Sequence, residues 1–249
     1  MKQFSVRLAA ATFIISIVSC EKTETKVFRD NKAEVKKCSV TQIIYSSSFG
    51  IKDTMVFAYN SFGDPITITH LPFPNTGAPN YVFKYDKKKR LTEMLGLYTD
   101  GSSGLFWHKY FYENPGNSNI VVDSTYFFPQ FENGALTWYY GASASYLTYD
   151  KAGRIIKDST TYQGTSRVDN YVYDANGNLS GRNYDDRTNI NQTHTIWMFV
   201  NRDYSVNNPF VADSYNSAGL PTRFNFSLEG GYVKFLQIFQ EATISYGCQ

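Results

Sequence analysis

The segment Tyr149-Asp150-Lys151-Ala152-Gly153-Arg154-Ile155 sets an aromatic residue, a tight turn and an apolar residue within seven positions. The Asp150 side chain accepts hydrogen bonds from backbone N–H groups just ahead of it, which opens a type I turn. Gly153 takes the left-handed conformation that closes a three-residue hairpin loop with a bulge. That register puts Asp150 opposite Arg154 and Tyr149 opposite Ile155. An aromatic ring facing a β-branched residue contributes roughly 0.2–1 kcal/mol.

The phrase recurs. Tyr173-Asp174-Ala175-Asn176-Gly177 leads to Leu179, and Tyr85-Asp86-Lys87-Lys88-Lys89 leads to Leu91, each six residues after its Tyr. Lys89 stands where Gly is wanted, at a cost of roughly 1 kcal/mol if the same turn forms. Tyr59-Asn60-Ser61-Phe62-Gly63 and Tyr215-Asn216-Ser217-Ala218-Gly219 carry Asn for Asp and lead to Pro65 and Pro221. Pro suits the first residue of a strand or a sheet edge. Tyr112-Glu113-Asn114-Pro115-Gly116 is a degenerate copy with a Pro-Gly turn. Intervals between successive tyrosines are 26, 27, 37, 24 and 42 residues. An interval near 25 accommodates a hairpin and its connection. The expected fold is all-β, an antiparallel meander of about 10–14 strands built from repeated hairpins, forming a curled sheet or a barrel-like one.

Tyr149 to Ile155 and Tyr173 to Leu179 resemble the Tyr-Asp-x-x-Gly-Arg-Leu hallmark of YD-repeat (RHS-like) proteins. More closely, the chain after about Gln42 is similar to bacterial lipoproteins carrying a YD-repeat domain of unknown function. Asn201 to Phe210 is similar to a late turn in that group. The resemblance implies an architecture rather than an activity.

The N-terminus reads as an export signal. Lys2 and Arg7 precede the apolar run Leu8 to Val18, which is too short to span a membrane well. Ile17-Val18-Ser19-Cys20 resembles a lipobox, so residues 1–19 are the expected lipoprotein signal peptide and Cys20 the expected lipidation site. Acyl chains hold firmly, each buried CH₂ contributing about 0.8 kcal/mol. Residues 20–37 form an expected flexible tether, dense in Lys, Glu, Asp and Thr. Such a tether spans on the order of 20–25 Å. Residues 38–249 read as a single YD-repeat-like β domain, with no composition break and ample length for a core. The predicted strands include Val40 to Ser47, Phe106 to Tyr112, Ile155 to Tyr162, Thr195 to Val200 and Tyr232 to Tyr246, and no stretch shows a capped helical period. The expected location is the outer membrane of a Gram-negative bacterium, with surface exposure favoured over the periplasmic face by charges just after Cys20.

Loss of Lys2 and Arg7 with the signal takes the formal charge from +2 to zero. A neutral chain lacks the basic patch that phosphate backbones require, so no nucleic-acid partner is expected. His70, His108 and His194 are scattered, so neither a metal nor any other cofactor is expected. No catalytic motif is present, and Asp86, Asp150 and Asp174 belong to turns. The rings of Trp107, Trp138, Tyr139, Tyr140 and Trp197 either fill the core or stand exposed to stack on sugars or peptides. Trp107, Trp138, Tyr140 and Trp197 are the stacking candidates. Asp53-Thr54-Met55, Asp123-Ser124-Thr125 and Asp158-Ser159-Thr160 resemble a bacterial O-glycosylation acceptor motif. The first expectation is therefore a lipid-anchored, non-enzymatic structural or binding module for a glycan, a peptide or an envelope protein. The alternatives are a polysaccharide hydrolase working in a concave sheet, marked by two carboxylates facing one cleft, and a small membrane-spanning barrel. The last is disfavoured because strands such as that ending at Thr148-Tyr149-Asp150 lack an apolar outer band.

With Cys20 lipidated, Cys38 and Cys248 remain, and an exported compartment lets them pair. Closing so long a loop stabilises by up to roughly 5 kcal/mol in the chain-entropy model. Non-reducing peptide mass maps are expected to show one Cys38–Cys248 cross-linked peptide, and free thiol at Cys38 would contradict the pairing.

Overall fold

The computed structural model describes residues 38–46, 52–71, 78–98, 101–113, 119–225 and 241–248. The expected signal, Cys20, the tether and the Asn114-Pro115-Gly116 turn lie outside them. The chain runs β1 (Cys38–Ser46), β2 (Lys52–Tyr59), β3 (Pro65–Leu71), β4 (Asn80–Tyr85), β5 (Leu91–Leu97), β6 (Gly104–Tyr112) and β7 (Ile120–Phe127). A small hairpin follows, β8 (Gln130–Glu132) and β9 (Ala135–Trp138). Then come β10 (Gly141–Tyr149), β11 (Ile155–Tyr162), β12 (Thr165–Asn170), the helix α1 (Thr195–Asn201), β13 (Ser214–Tyr215), β14 (Pro221–Asn225) and β15 (Glu241–Cys248). All but β8 and β9 form one antiparallel 13-stranded sheet, ordered 12-11-10-7-6-5-4-3-2-1-15-14-13. The sheet is not closed, since its two ends are β12 and β13. The Cys38–Cys248 disulfide joins the first residue of β1 to the last of β15, across 210 residues.

The turn phrases share one geometry. Asp150 Oδ1 accepts from the N–H groups of Ala152 and Arg154. Asp86, Asp174, Asn60 and Asn216 make the same pair of bonds in their own turns. Gly153 sits at φ 78° and Lys89 at φ 62° in the equivalent place. The Lys89 ammonium lies 3.4 Å from the centre of the Phe62 ring, a contact that offsets part of its backbone strain. Arg90 and Arg154 pair with the Asp that opens their own turns. Each also stacks its guanidinium 4.2 Å from the next phrase's ring, Tyr112 and Tyr173 respectively.

The tyrosines explain the spacing. Tyr59, Tyr85, Tyr112 and Tyr149 each end a strand, face the first residue of the following one and send their hydroxyls across the previous hairpin, and Tyr246 does the last of these from within β15. Tyr149 donates to the Ile120 carbonyl, Tyr112 to Leu91, Tyr85 to Pro65, Tyr59 to Val40 and Tyr246 to Pro221, at 2.6–2.9 Å. Ile120 pairs with Tyr112, Leu91 with Tyr85, Pro65 with Tyr59, Val40 with Tyr246 and Pro221 with Tyr215. Every acceptor is thus the strand neighbour of the next donor, and the hydroxyls form a continuous ladder along one end of the sheet.

Residues 171–213, between β12 and β13, turn back onto the inner face. Trp197 of α1 is 4% exposed and meets Phe57 of β2 and Phe83 of β4 edge-on, at 5.8 and 5.7 Å. Phe199 meets Tyr110 of β6. Arg202 reaches Asp158 on β11, while Phe210 packs 5.1 Å from Phe224 on β14. Ten strand spacings would put β11 and β14 about 48 Å apart in a flat sheet. Phe210, seated on β14, also lines one cavity of about 440 Å³ together with Asp169 and Asn170 of β12, so the two ends of the sheet lie within a cavity's width and two side chains' reach of each other. The sheet is therefore curled around this segment. Thr195 to Val200, expected as a strand, is a helix instead. Its β-branched and aromatic side chains are accommodated because tertiary contacts override propensity in so short an element. Its cap is His194, whose Nδ1 accepts from the Ile196 N–H, rather than a Ser, Thr, Asp or Asn.

Burial pushes the Tyr112 hydroxyl up to about 12 and those of Tyr59, Tyr85 and Tyr149 higher still. Unfolded tyrosines ionise near pH 10. Because the folded values are raised, this stabilisation is complete below pH about 10 and is lost as pH rises through about 12 and beyond. Phenolate absorbance should rise together with loss of the β circular-dichroism signal, and free titration of the ladder tyrosines in an intact fold would contradict it. At neutral pH, Tyr85→Phe is expected to cost about 1–2 kcal/mol in urea melts.

Candidate functional site

The inner face changes character halfway across the sheet. From β1 to β5 it is apolar, carrying Val40, Ile43, Met55, Phe57, Ile68, Phe83 and Met94 beneath the inner segment. From β6 to β12 it is polar beyond the ladder end, where Tyr110, Ile120, Leu147 and Ile155 still belong to the core. Alternation along each strand sends Asp123 and Thr125 inward and Ser124 outward. It likewise sends Asp158 and Thr160 inward and Ser159 outward. Register then aligns these groups in rows. His108 faces Thr125, which faces Ser143, and in the next row Tyr110, Asp123, Ser145, Thr160 and Arg167 follow one another across five strands.

Arg202 holds this polar half together. It sits in left-handed backbone at φ 53°, just after α1, and its side chain is buried. Nη2 donates to Asp123 Oδ2 at 2.7 Å, Nε to Asp158 Oδ2 at 3.2 Å and Nη1 to the Phe199 carbonyl at 2.7 Å. His108 Nδ1 lies 2.8 Å from Asp123 Oδ1 and 2.9 Å from Thr125 Oγ1. The Thr160 hydroxyl donates to Asp158 Oδ1 and lies 2.7 Å from Ser145 Oγ. Burial opposes ionisation of Asp123, but the His108 ring and the Arg202 guanidinium outweigh it, so its carboxyl titrates below the usual range. The Arg202 charge, disfavoured by burial, is held by Asp123, with Asp158 adding to it.

Above the network opens a cavity of about 370 Å³, whose walls carry Phe106, His108, Thr125, Ser145, Asp169 and Tyr171. A second cavity of about 440 Å³ shares Asp169, Tyr171 and Arg202 with it. Its lining adds Asn170, Asn189, Asn191, Asn201, Arg182 and Phe210. Together they make one groove of carboxylates, hydroxyls, amides and aromatic edges beside β12. A separate buried cluster interrupts the apolar half of the same face, where the Tyr45 hydroxyl and His70 Nδ1 both meet Asp53 Oδ2, at 2.9 and 2.7 Å. Among the described residues, no group of three or more His, Cys, Asp or Glu side chains is placed to hold a metal ion.

The stacking candidates part company. Trp197 is a core residue, wedged where no ligand reaches. Trp107 lies half-buried on the outer face, with its Nε1–H donating to Glu93 Oε2 at 3.0 Å. Trp138 and Tyr140 are 51% and 66% exposed, on and just after the small hairpin. Asp86, Asp150 and Asp174 sit in their turns, outside the groove. The groove itself was hidden in the Asp-Ser-Thr segments. These resemble a glycosylation acceptor motif, but their period of two is itself the sign of inward-facing Asp and Thr. No known family model matches the chain, and no curated protein matches its sequence.

Replacing Arg202 by Met leaves two buried carboxylates without the guanidinium they share, an expected loss of about 3–5 kcal/mol in denaturant melts. Adding Asp123→Asn and Asp158→Asn should recover a large part of that loss. A single-variant cost under about 1 kcal/mol would show that the bridge does not hold the segment.

Proposed function

We propose that this protein is a lipid-anchored cell-envelope binding module that holds a glycan in the groove on its curled sheet. The anchor follows from the export signal and the lipobox-like Cys20. The observation that carries the binding role is the uncovered polar half of the inner face. Away from the ladder end, core-facing positions on β6 to β12 such as Thr125, Ser145, Asp158 and Thr160 carry hydroxyls and carboxylates where packing alone would select apolar side chains. Such groups are costly to bury without a partner, and hydroxyls, amides and aromatic edges are the partners a polyhydroxyl ligand needs.

A second reading has a specific observation in its favour. Asp123, Asp158 and Asp169 line one cavity, the arrangement expected of a glycan hydrolase. A general acid in such a site needs a raised pKa, whereas Asp123 is pushed down and shares Arg202 with Asp158. Asp169 pairs with Arg167. Asp123 is held ionised, and Asp158 and Asp169 are each fixed by an arginine, which suits binding better than proton transfer.

Calorimetric titration of the protein with a panel of neutral and acidic oligosaccharides tests the reading. One class should bind, and Asp169→Ala or His108→Gln should weaken it at least tenfold, about 1.4 kcal/mol, with the melting profile kept in Asp169→Ala. Release of new reducing ends, abolished by Asp123→Asn, would favour the hydrolase. Failure of every glycan to bind, or unchanged binding by both variants, would overturn the groove as the site.

A further inference from the structure

The outer face carries a second surface, at the far end of the sheet from the expected anchor. The ladder end is where Cys38 enters β1. Tyr149 closes β10 at that end, so Gly141 lies eight residues away, about 27 Å along the strand. The β8–β9 hairpin is inserted there, between β7 and β10. Phe131 from the hairpin packs 5.6 Å from Trp107 of β6, and Tyr139 packs edge-on, 5.1 Å from Tyr126 of β7. Tyr126 lies 5.4 Å from Trp107, completing a buttress of four rings. Beyond it Trp138 and Tyr140 face solvent, as does Phe128, whose ring meets Tyr140 at 6.3 Å.

The chemistry of this surface is specific. Between Phe128 and Gly141 the single charged residue is Glu132, and the single large aliphatic one is Leu136. The ladder end, by contrast, carries Lys87, Lys88, Lys89 and Lys151. Exposed Trp and Tyr on a buttressed hairpin give large, rigid, amphipathic area at low conformational cost. The electron-rich face of an aromatic ring attracts the weakly positive C–H face of a sugar ring, and a hairpin whose one charge is Glu132 suits a neutral one. The hairpin thus lies at the end of the sheet opposite the one where Cys38 enters β1.

We propose that Trp138 and Tyr140, supported by Trp107, Tyr126, Phe131 and Tyr139, form a stacking platform for a neutral polysaccharide chain. This site is separate from the groove and does not require it.

Retention of the full-length, detergent-solubilised protein on insoluble β-glucan, chitin and starch tests the platform. At least one polysaccharide should retain it. Trp138→Ala and Tyr140→Ala should each weaken retention several-fold, and the double variant should abolish it. Trp138→Phe should keep most of it. Unchanged circular dichroism and melting would show that the fold survives, as expected for exposed side chains. Asp169→Ala, in the groove, should be retained like the unaltered protein, which separates this platform from the groove. The proposal is overturned if none of the three retains the protein, or if the double variant is retained undiminished. It is equally overturned if the double variant instead loses binding to phosphatidylethanolamine–phosphatidylglycerol vesicles, since the hairpin would then be a lipid contact.

Discussion

Arg202 occupies the point where the inner segment, the sheet and the candidate groove meet. A buried guanidinium between two buried carboxylates is stable only while all three stay in place, because removing any one leaves uncompensated charge in a poorly solvated site. That requirement fixes the end of α1 against β7 and β11. With α1 so placed, Trp197 falls between Phe57 and Phe83, and the apolar half of the inner face is covered. The same bridge also sets where the cover stops. Beyond it, the inner positions of β6 to β12 line an open polar groove.

The ladder solves a different problem. A 13-stranded antiparallel sheet offers many ways to slip register, and a slip of one residue reverses every side chain. The hydroxyls of Tyr59, Tyr85, Tyr112, Tyr149 and Tyr246 tie their strands across the neighbouring hairpin by bonds that only the native register permits. The turn Asp or Asn, the left-handed fourth residue and the Arg that stacks on the following tyrosine all act on the same few atoms. The repeated phrase is therefore a register device, repeated because each hairpin must be pinned to its neighbour.

Much of this was legible in the sequence. The turn phrase gave the hairpins, their alignment of Tyr149 with Ile155, and the meander, while the cysteine count pointed to the Cys38–Cys248 bond. The two long intervals between tyrosines, 37 and 42 residues, mark the two departures from the meander, the β8–β9 hairpin and the inner segment. The helix was not legible, because Thr-Ile-Trp-Met-Phe-Val has strand composition and seven residues are too few to show a period. Nor was Arg202, whose partners Asp123 and Asp158 lie 79 and 44 residues away. Nothing local distinguishes such an arginine from a solvated one. Trp197, Trp138 and Tyr140 look alike as a sequence, and only the placement of the inner segment makes one a core residue and leaves the others in solvent.

The curl of the sheet around residues 190–210 is the claim on which both the core and the groove rest. Its most direct measurement is the distance between spin labels placed at Val168→Cys on β12 and Ser214→Cys on β13, at the two ends of the sheet. Twelve strand spacings in a flat sheet would separate them by about 58 Å. The curled sheet predicts a single, narrow distribution well short of that. A distance near the flat value, or a broad spread reaching it, would show that the inner segment does not draw the two ends together.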